Sequence, residues 1–442
     1  MPINETDYVV IGGGSAGCVI AGRLTEDPNI RVALLEAGGR GDSWMVNTPA
    51  AVVAMLPTKI NNYAFETTPQ VGLNNRKGYQ PRGKALGGSS AINAMVYIRG
   101  HASDYDHWES LGNQGWSYSA LLPYFKRSEN NADIQNEYHG QNGPLSVSNL
   151  QTENPFQGIY INAAKQAGFK INSDFNGASQ DGFGLYQVTQ KGGERWNAAR
   201  AYLDPHRHQS NLNVISHAHA TQIMFEGKRA VGIKYKVNGV DHEVRARKEV
   251  IVSGGAFGSP QLLMLSGIGP ADHLKAHGID VVLDRPAVGG NLQDHIDYVS
   301  GWETESDLLI GGTLKGTLRM AAAIVEHRRM RGAPVHLVHR PVGTGDVVPY
   351  EGDLVSHPSA QDPVQRIVEE RETLAPGIAG EGLEHTDTQE IVSRPHRRGQ
   401  VRLVHPCDLE IAIEQDIGIG RLREQLLEVD LLNAAHGVGA AL

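Results

Sequence analysis

Cysteine is nearly absent: 442 residues hold only Cys18 and Cys407. Two cysteines cannot build a disulfide framework, and no basic, apolar leader precedes the first β-branched run near Tyr8, so the expected compartment is the reducing cytoplasm. No apolar run approaches the roughly 20 residues that cross a bilayer, which argues against a transmembrane segment. An excess of positive charge is missing as well. The net charge is -9 and the pI about 6.1, which removes the electrostatic case for nucleic acid or for an anionic membrane surface. Small molecules or proteins are the expected partners. The end of the chain lacks most: residues 331–442 contain no Lys, Met, Phe or Trp and a single aromatic, Tyr350. A sizeable domain ordinarily spends aromatics on its core.

Glycine, by contrast, is plentiful, with 52 residues. The first cluster lies in YVVIGGGSAGCVIAGRLTEDPNIRVALLEAGG, from Tyr8 to Gly39. Tyr8–Ile11 reads as a strand, Cys18–Leu24 as a helix and Val32–Leu35 as a second strand, which makes a βαβ unit. Between strand and helix stands G-x-G-x-x-G: Gly12 for the tight turn, Gly14 for backbone approach to a pyrophosphate, Gly17 for helix packing. Glu36 closes the second strand where a carboxylate meets a ribose 2′-OH, and it would repel a 2′-phosphate, which excludes NADP. The same residues also spell G-x-S-x-G around Ser15, the pattern of a nucleophile elbow. Only one strand precedes Ser15, so its hydroxyl is better read as a phosphate ligand.

A second glycine loop, GYQPRGKALGGSSAINAMVYIRGHASDYD, runs from Gly78 to Asp106 and is expected to enter an apolar helix capped by Ser89 or Ser90. Gly83, Gly87 and Gly88 offer backbone N–H groups to an elongated ligand, and Asn93 stands one turn further on. A nicotinamide dinucleotide has no need of such a loop, whereas a flavin dinucleotide reaches far past its pyrophosphate. Further along, Trp108 and Trp116 fall in a short helical context. Asn154 with Pro155 caps a helix to about Gly168, and Arg195–Leu203 reads as helical. Residues 212–253 read as a β-meander, with NVISHAHATQIMF as its first strand and an Asn238-Gly239 hairpin. In GGAFGSPQLLMLSGIGP, Ser259 and Pro260 start a helix that Gly267 ends. His217 with His219, and His206 with His208, have ligand-like spacing, but no third ligand is evident and no metal is assigned.

Three segments, GGGSAG with LLEAGG, GKALGGSSAINAMVYIRGHASDYD, and GAFGSPQLLMLSGIG, occur in one order and spacing. Together they resemble the glucose-methanol-choline (GMC) family of FAD-dependent oxidoreductases, in its choline and alcohol dehydrogenase branch, from about Tyr8 to about Arg329. The resemblance implies an α/β fold: a Rossmann-type FAD-binding domain with a second, incomplete substrate domain. It implies that Gly12, Gly14, Ser15, Gly17 and Glu36 hold the ADP half of FAD. By the same likeness Gly83, Gly87, Gly88, Ser89, Ser90, Asn93, Ala94, Met95 and Val96 line the pyrophosphate and flavin. Ala220 matches a position whose backbone meets adenine, and Gly254 and Gly255 return beside the cofactor. Some relatives attach FAD through a histidine where this chain has Ile92, so binding is expected to be non-covalent.

Domains are expected at 1–154 (FAD-binding, first segment), 155–205 (substrate domain) and 206–300 (FAD-binding, second segment). Residues 301–330 begin a further substrate segment, and 331–442 form an unassigned tail, either frameshifted or disordered. The implied reaction moves hydride from the carbon of a choline-like or primary alcohol to the flavin, with an unspecified electron acceptor. The family takes the hydroxyl proton on a histidine in a C-terminal HPxGTxxMG-like motif. HRPVGTGDV, from His339, has the wrong spacing and lacks the Met-Gly, so it is read as a chance match and the catalytic residues are unknown. A catalytically impaired flavin-binding remnant is the alternative reading, and a hydroxynitrile lyase would want the same histidines. A frame change near codon 331 of a GC-rich gene would give this composition. If so, another frame of the coding sequence downstream of that codon should encode the HPxGTxxMG-like string and a later His or Asn. Closed frames, or open ones without those residues, would leave the tail to be explained as a true domain.

Overall fold

The computed structural model describes residues 4–151, 154–294 and 314–329. Its centre is β1 (Glu5–Ile11), followed by α1 (Ser15–Leu24) and β2 (Val32–Glu36). Four later strands join them: β3 (Leu212–Ser216), β4 (Ala218–Glu226), β5 (Arg229–Val237) and β6 (Val240–Val252). They form one six-stranded sheet in the order β3-β2-β1-β6-β5-β4. The first four are parallel, with Val10 opposite Leu34 on one side and Ile251 on the other. Both faces of the central strands are covered, which is why their sequence is a continuous apolar run. Val10 and Leu34 pack with α1, while Val9, Ile11, Ala33 and Leu35 pack under the antiparallel end of the sheet. Each of the Val, Leu and Ile side chains, fully buried, is worth roughly 2 kcal/mol by area.

Several local expectations hold. Asn154 accepts from the Phe156 N–H, and the helix Pro155–Gln166 follows it. Asn238 and Gly239 both have positive φ, 50° and 81°, as a two-residue primed hairpin requires. Others need correction. NVISHAHATQIMF is two strands on opposite edges of the sheet, because His217 takes φ 56° and donates its N–H to Gly38 O. Apolar alternation does not reveal one left-handed residue. The second glycine loop enters only a single 3-10 turn, Gly88–Ala91, and then a short strand, Val96–Tyr97. Left-handed Met95, with φ 64°, breaks any helix there. Arg195 ends a strand (Glu194–Arg195), and only Ala199–Leu203 is helical, as a π turn. Trp116 lies in the loop before the helix Tyr118–Ser128. The helix that follows β6, α2 (Gly255–Leu265), begins before Ser259 and carries Pro260 inside, where only one backbone bond is forfeited. Cys407, His339 and residues 331–442 lie outside the described residues.

A smaller sheet joins Val96–Tyr97, Gln187–Val188, Leu145–Asn149 and Glu129–Asn131 in that spatial order. Beside it lies a buried charge network. Arg99 Nη2 donates to Glu129 Oε2 at 2.8 Å, His139 Nδ1 meets Glu129 Oε1 at 2.8 Å, and His139 Nε2 meets Asp174 Oδ1 at 3.0 Å. Burial alone would raise Glu129, but His139 and Arg99 hold it below the ordinary carboxylate value of 4.5. Burial would lower His139, but Glu129 and Asp174 hold it above 6.5. The depressed carboxylate contributes stability above pH 4.5 that is lost as pH falls through its folded value. The raised imidazole contributes stability below pH 6.5 that is lost as pH rises through its own. Thermal unfolding from pH 3 to 9 should therefore show greatest support from this network between 4.5 and 6.5. Glu129→Gln should cost about 3–5 kcal/mol there, the cost of breaking a buried pair; a loss under about 1 kcal/mol would refute this account.

Candidate dinucleotide site

Beyond the end of β1 the backbone folds onto itself. A Cβ on Gly17 would lie 1.9 Å from Gly12 O, so α1 can start this close to β1 only with glycine there. Gly13 N–H donates to Glu36 Oε2 at 2.8 Å, and Gly38 N–H donates to Oε1 at 2.7 Å. Gly14 is the N-cap of α1, and Ser15 is its buried first residue. The second loop arrives from across the site: Gly87 N–H donates to Gly13 O at 2.7 Å, and a Cβ on Gly88 would lie 2.6 Å from Gly14 Cα. Ser89 Oγ accepts from Gly83 N–H, and Ser90 Oγ donates to Gly87 O. The third segment closes the ring, with Ser253 Oγ donating to Ile11 O and Gly12 O just before Gly254 and Gly255. Residues 12–17, 36, 83–90 and 253–255 thus meet in one place.

Asn93, Ala94, Met95 and Val96 extend the second loop. Buried Asn93 Oδ1 accepts from Met95 N–H at 3.0 Å and from Arg195 Nη1 at 2.9 Å. Ile92 is buried in an apolar cluster with Val46 and Met55. Ala220 lies in β4 at a bulge, between the pairs formed by Ala220 and Gln222. Arg195 was not singled out from sequence, since arginine is rarely buried and nothing local marks an exception. Its side chain is fully enclosed, with Nε on Val46 O at 2.9 Å and Nη1 on Asn93 O at 2.6 Å. No acid pairs with it among the described residues, and burial lowers its pKa to about 9. Tyr63 and Lys84 were missed too: Lys84 Nζ lies 5.1 Å from the Tyr63 ring centroid, and both feel the Glu36 charge.

Cys18 is sealed in the core, its thiol pushed up to about 12 by burial. His217 and His219 are exposed, and His217 stands outside β4 rather than on its face. Among the described residues no three His, Cys, Asp or Glu side chains are grouped to hold a metal. Nor is any described helix long and apolar enough to cross a membrane.

The sequence matches the GMC oxidoreductase family over residues 6–297. The chain belongs to that family. Among its GMC relatives, human mitochondrial choline dehydrogenase is 49% identical over 301 residues, 66% of this chain and 51% of that protein. The "alcohol dehydrogenase [acceptor]" of Pseudomonas putida is 48% identical over 294 residues, 66% and 53% of the two chains. The chain thus spans about half the length of these relatives. A pyridoxine 4-oxidase from Mesorbium loti superposes with a TM-score of 0.63 at 34% identity, covering 66% of this chain and 57% of that one. Aspergillus oryzae formate oxidase gives 0.67 at 28% identity, over 76% and 60%. The GMC fold and its α/β class, expected from sequence, are therefore established.

Glu36 makes the site titratable. Burial raises its carboxyl to about 7, against the Gly38 and Gly13 N–H groups and Lys84, which lower it. A raised folded value means that stability is fully present below 4.5, the unfolded value, and is lost as pH rises through about 7. Without ligand, the protein should be less stable at pH 8 than at pH 5 by up to about 3 kcal/mol from this group. Glu36→Gln should flatten that slope in thermal unfolding; a variant with the same slope would place the titration elsewhere.

Proposed function

We propose that this chain is the FAD-holding part of a GMC-type oxidoreductase acting on primary alcohols or choline, and that it holds FAD without a covalent bond. The observation that carries this reading is the meeting of Gly14 and Gly88, two bare backbones brought together next to the Gly13–Glu36 hydrogen bond. A Cβ on Gly14 would find only Gly88 Cα, at 3.8 Å. That meeting sets the N-terminus of α1 against the second loop, where an elongated, doubly anionic ligand would lie. Gly12, Gly14, Ser15 and Gly17 present the N-terminus of α1 to the pyrophosphate. Glu36 accepts two backbone N–H groups and has roughly two further lone-pair positions for ribose hydroxyls. In the second loop Gly83, Gly87 and Gly88 spend their N–H groups on Ser89 Oγ, Gly13 O and Ala85 O rather than offering them to a ligand, so this loop, with Ser89 and Ser90, would shape the other side of the pyrophosphate by close approach. Asn93, Ala94, Met95 and Val96 run along the flavin, Ala220 offers its backbone to adenine, and Gly254 and Gly255 close the near edge. Ile92 offers no nucleophile for covalent attachment.

FAD when bound supplies a hydride acceptor for the alcohol carbon. The chain's own contribution is positional: Arg195 pins the 90–95 loop through Ser90 O, Asn93 O and Asn93 Oδ1, so the loop is set before ligand arrives. A general base is worth about 10² to 10⁴ in rate. Among the described residues no histidine stands in the loops that form this cleft. The impaired-remnant reading therefore has a specific observation behind it. Purified chain should bind FAD in preference to NAD and release all its yellow colour to the supernatant on acid precipitation. Oxidation of choline or aliphatic alcohols with an artificial acceptor should be at or near background. Flavin retained in the pellet would overturn non-covalent binding, an apoprotein that cannot be reconstituted would overturn the FAD reading, and turnover abolished by His339→Ala would identify the base.

A further inference from the structure

The stretch from Ile92 to Met95 leaves one main-chain donor over. The Ile92 and Asn93 N–H groups both donate to Ser89 O, at 3.1 and 2.9 Å, and the Met95 N–H donates to Asn93 Oδ1 at 3.0 Å. The Ala94 N–H has no acceptor among the described residues. Ala94 is also the one residue of these four that is not buried. The direction of its N–H is fixed by Arg195. Nη1 of that arginine donates to Asn93 O at 2.6 Å and to Asn93 Oδ1 at 2.9 Å, so the carbonyl of the 93–94 peptide faces the guanidinium. No described peptide bond is cis, and in a trans peptide the N–H points opposite to the C=O. The Ala94 N–H is therefore turned away from Arg195. The flanking groups are held as firmly: Thr189 N–H donates to Met95 O at 2.9 Å, and Arg195 Nε donates to Val46 O at 2.9 Å.

We propose that Arg195 is a positioning residue that orients and polarises the Ala94 N–H as a hydrogen-bond donor to an acceptor edge of the flavin ring, an inference that rests on the FAD reading. A cation on the carbonyl oxygen of a peptide draws electron density through the amide and makes its N–H a stronger donor. The guanidinium is fully buried, and no acid pairs with it among the described residues. Its field at the 93–94 peptide is therefore not cancelled by a counter-charge. Pinning the loop would not by itself require a charge, since a neutral amide donates to a carbonyl as well, and burying a cation carries a desolvation cost. A charge is useful where the ligand itself gains negative charge. Two-electron reduction adds such charge to a flavin ring, so a polarised donor set in advance holds the reduced form more tightly than the oxidised one. Left-handed Met95, with φ 64°, places backbone strain at the same point, as functional sites tend to do.

Equilibrium titration of the full chain with FAD and with ADP tests it, because ADP lacks the ring. Arg195→Met should weaken FAD by about tenfold or more and ADP by less than about twofold. In dithionite titrations against a reference dye, the midpoint potential of the bound flavin should fall by about 30 mV, which is tenfold in a two-electron equilibrium. Ala94→Pro removes the N–H and leaves Arg195 in place, and Ala94 is not among the residues with positive φ, so proline is tolerable there. It should reproduce both changes, and it decides the matter should Arg195→Met not fold. FAD and ADP weakened alike, or a potential unchanged in the variants that fold, would sink the proposal and leave Arg195 a structural clamp. A wild-type chain that binds ADP but not FAD, or neither, would instead overturn the FAD reading, and this inference with it.

Discussion

Backbone meets backbone at three places around the first glycine loop, and no side chain fits between them. α1 sits against β1 at Gly17, Ser253 O crowds Gly12, and the second loop presses Gly88 onto Gly14. These contacts bring together residues more than two hundred positions apart. They also hold the N-terminus of α1, at Gly14 and Ser15, against the second loop. An anion held there meets oriented dipoles in a fixed frame, which is the main thing a phosphate-bearing ligand needs. Much else in the fold serves that frame: β6 returns beside β1 to deliver Ser253, and Ser90 ties the second loop to Ala198.

Buried charge is treated in two opposite ways. Beside the small sheet, Arg99, Glu129, His139 and Asp174 neutralise one another and act as a structural clasp. Around the cleft, Glu36 and Arg195 are each enclosed without an opposite charge in contact and are satisfied only by backbone and amide groups. Such groups carry a desolvation penalty that a self-contained structure would avoid. Their cost is reasonable where the group must keep acceptor or positioning capacity for something that arrives later. That contrast separates the clasp from the site more clearly than burial alone.

Family membership and completeness are separate matters. The match covers residues 6–297, and the relatives are about twice as long as the part they share with this chain. The matched part carries the glycine loops gathered around Glu36. Such a backbone arrangement can be recognised at this identity, because the same glycines are demanded by the same close approaches.

How much could be read in advance follows from the range of each interaction. The βαβ unit, the two glycine loops, the Asn154-Pro155 cap and the Asn238-Gly239 hairpin are local, and a few neighbouring residues encode them. The break at His217 and the left-handed Met95 are not, since non-glycine residues adopt such conformations only when distant contacts outweigh their cost, and the turn at Gly88 is set by its close approach to Gly14. Arg195 was invisible for a related reason: its acceptors come from residues 46, 90 and 93, about a hundred or more positions away. By itself, then, the sequence determined the fold class, the family and the glycine positions where backbones approach closely, because glycine spacing and apolar period are short-range signals. Only the tertiary structure decided which loops meet and which charges are left unpaired, because burial and electrostatics belong to groups brought together from across the whole chain.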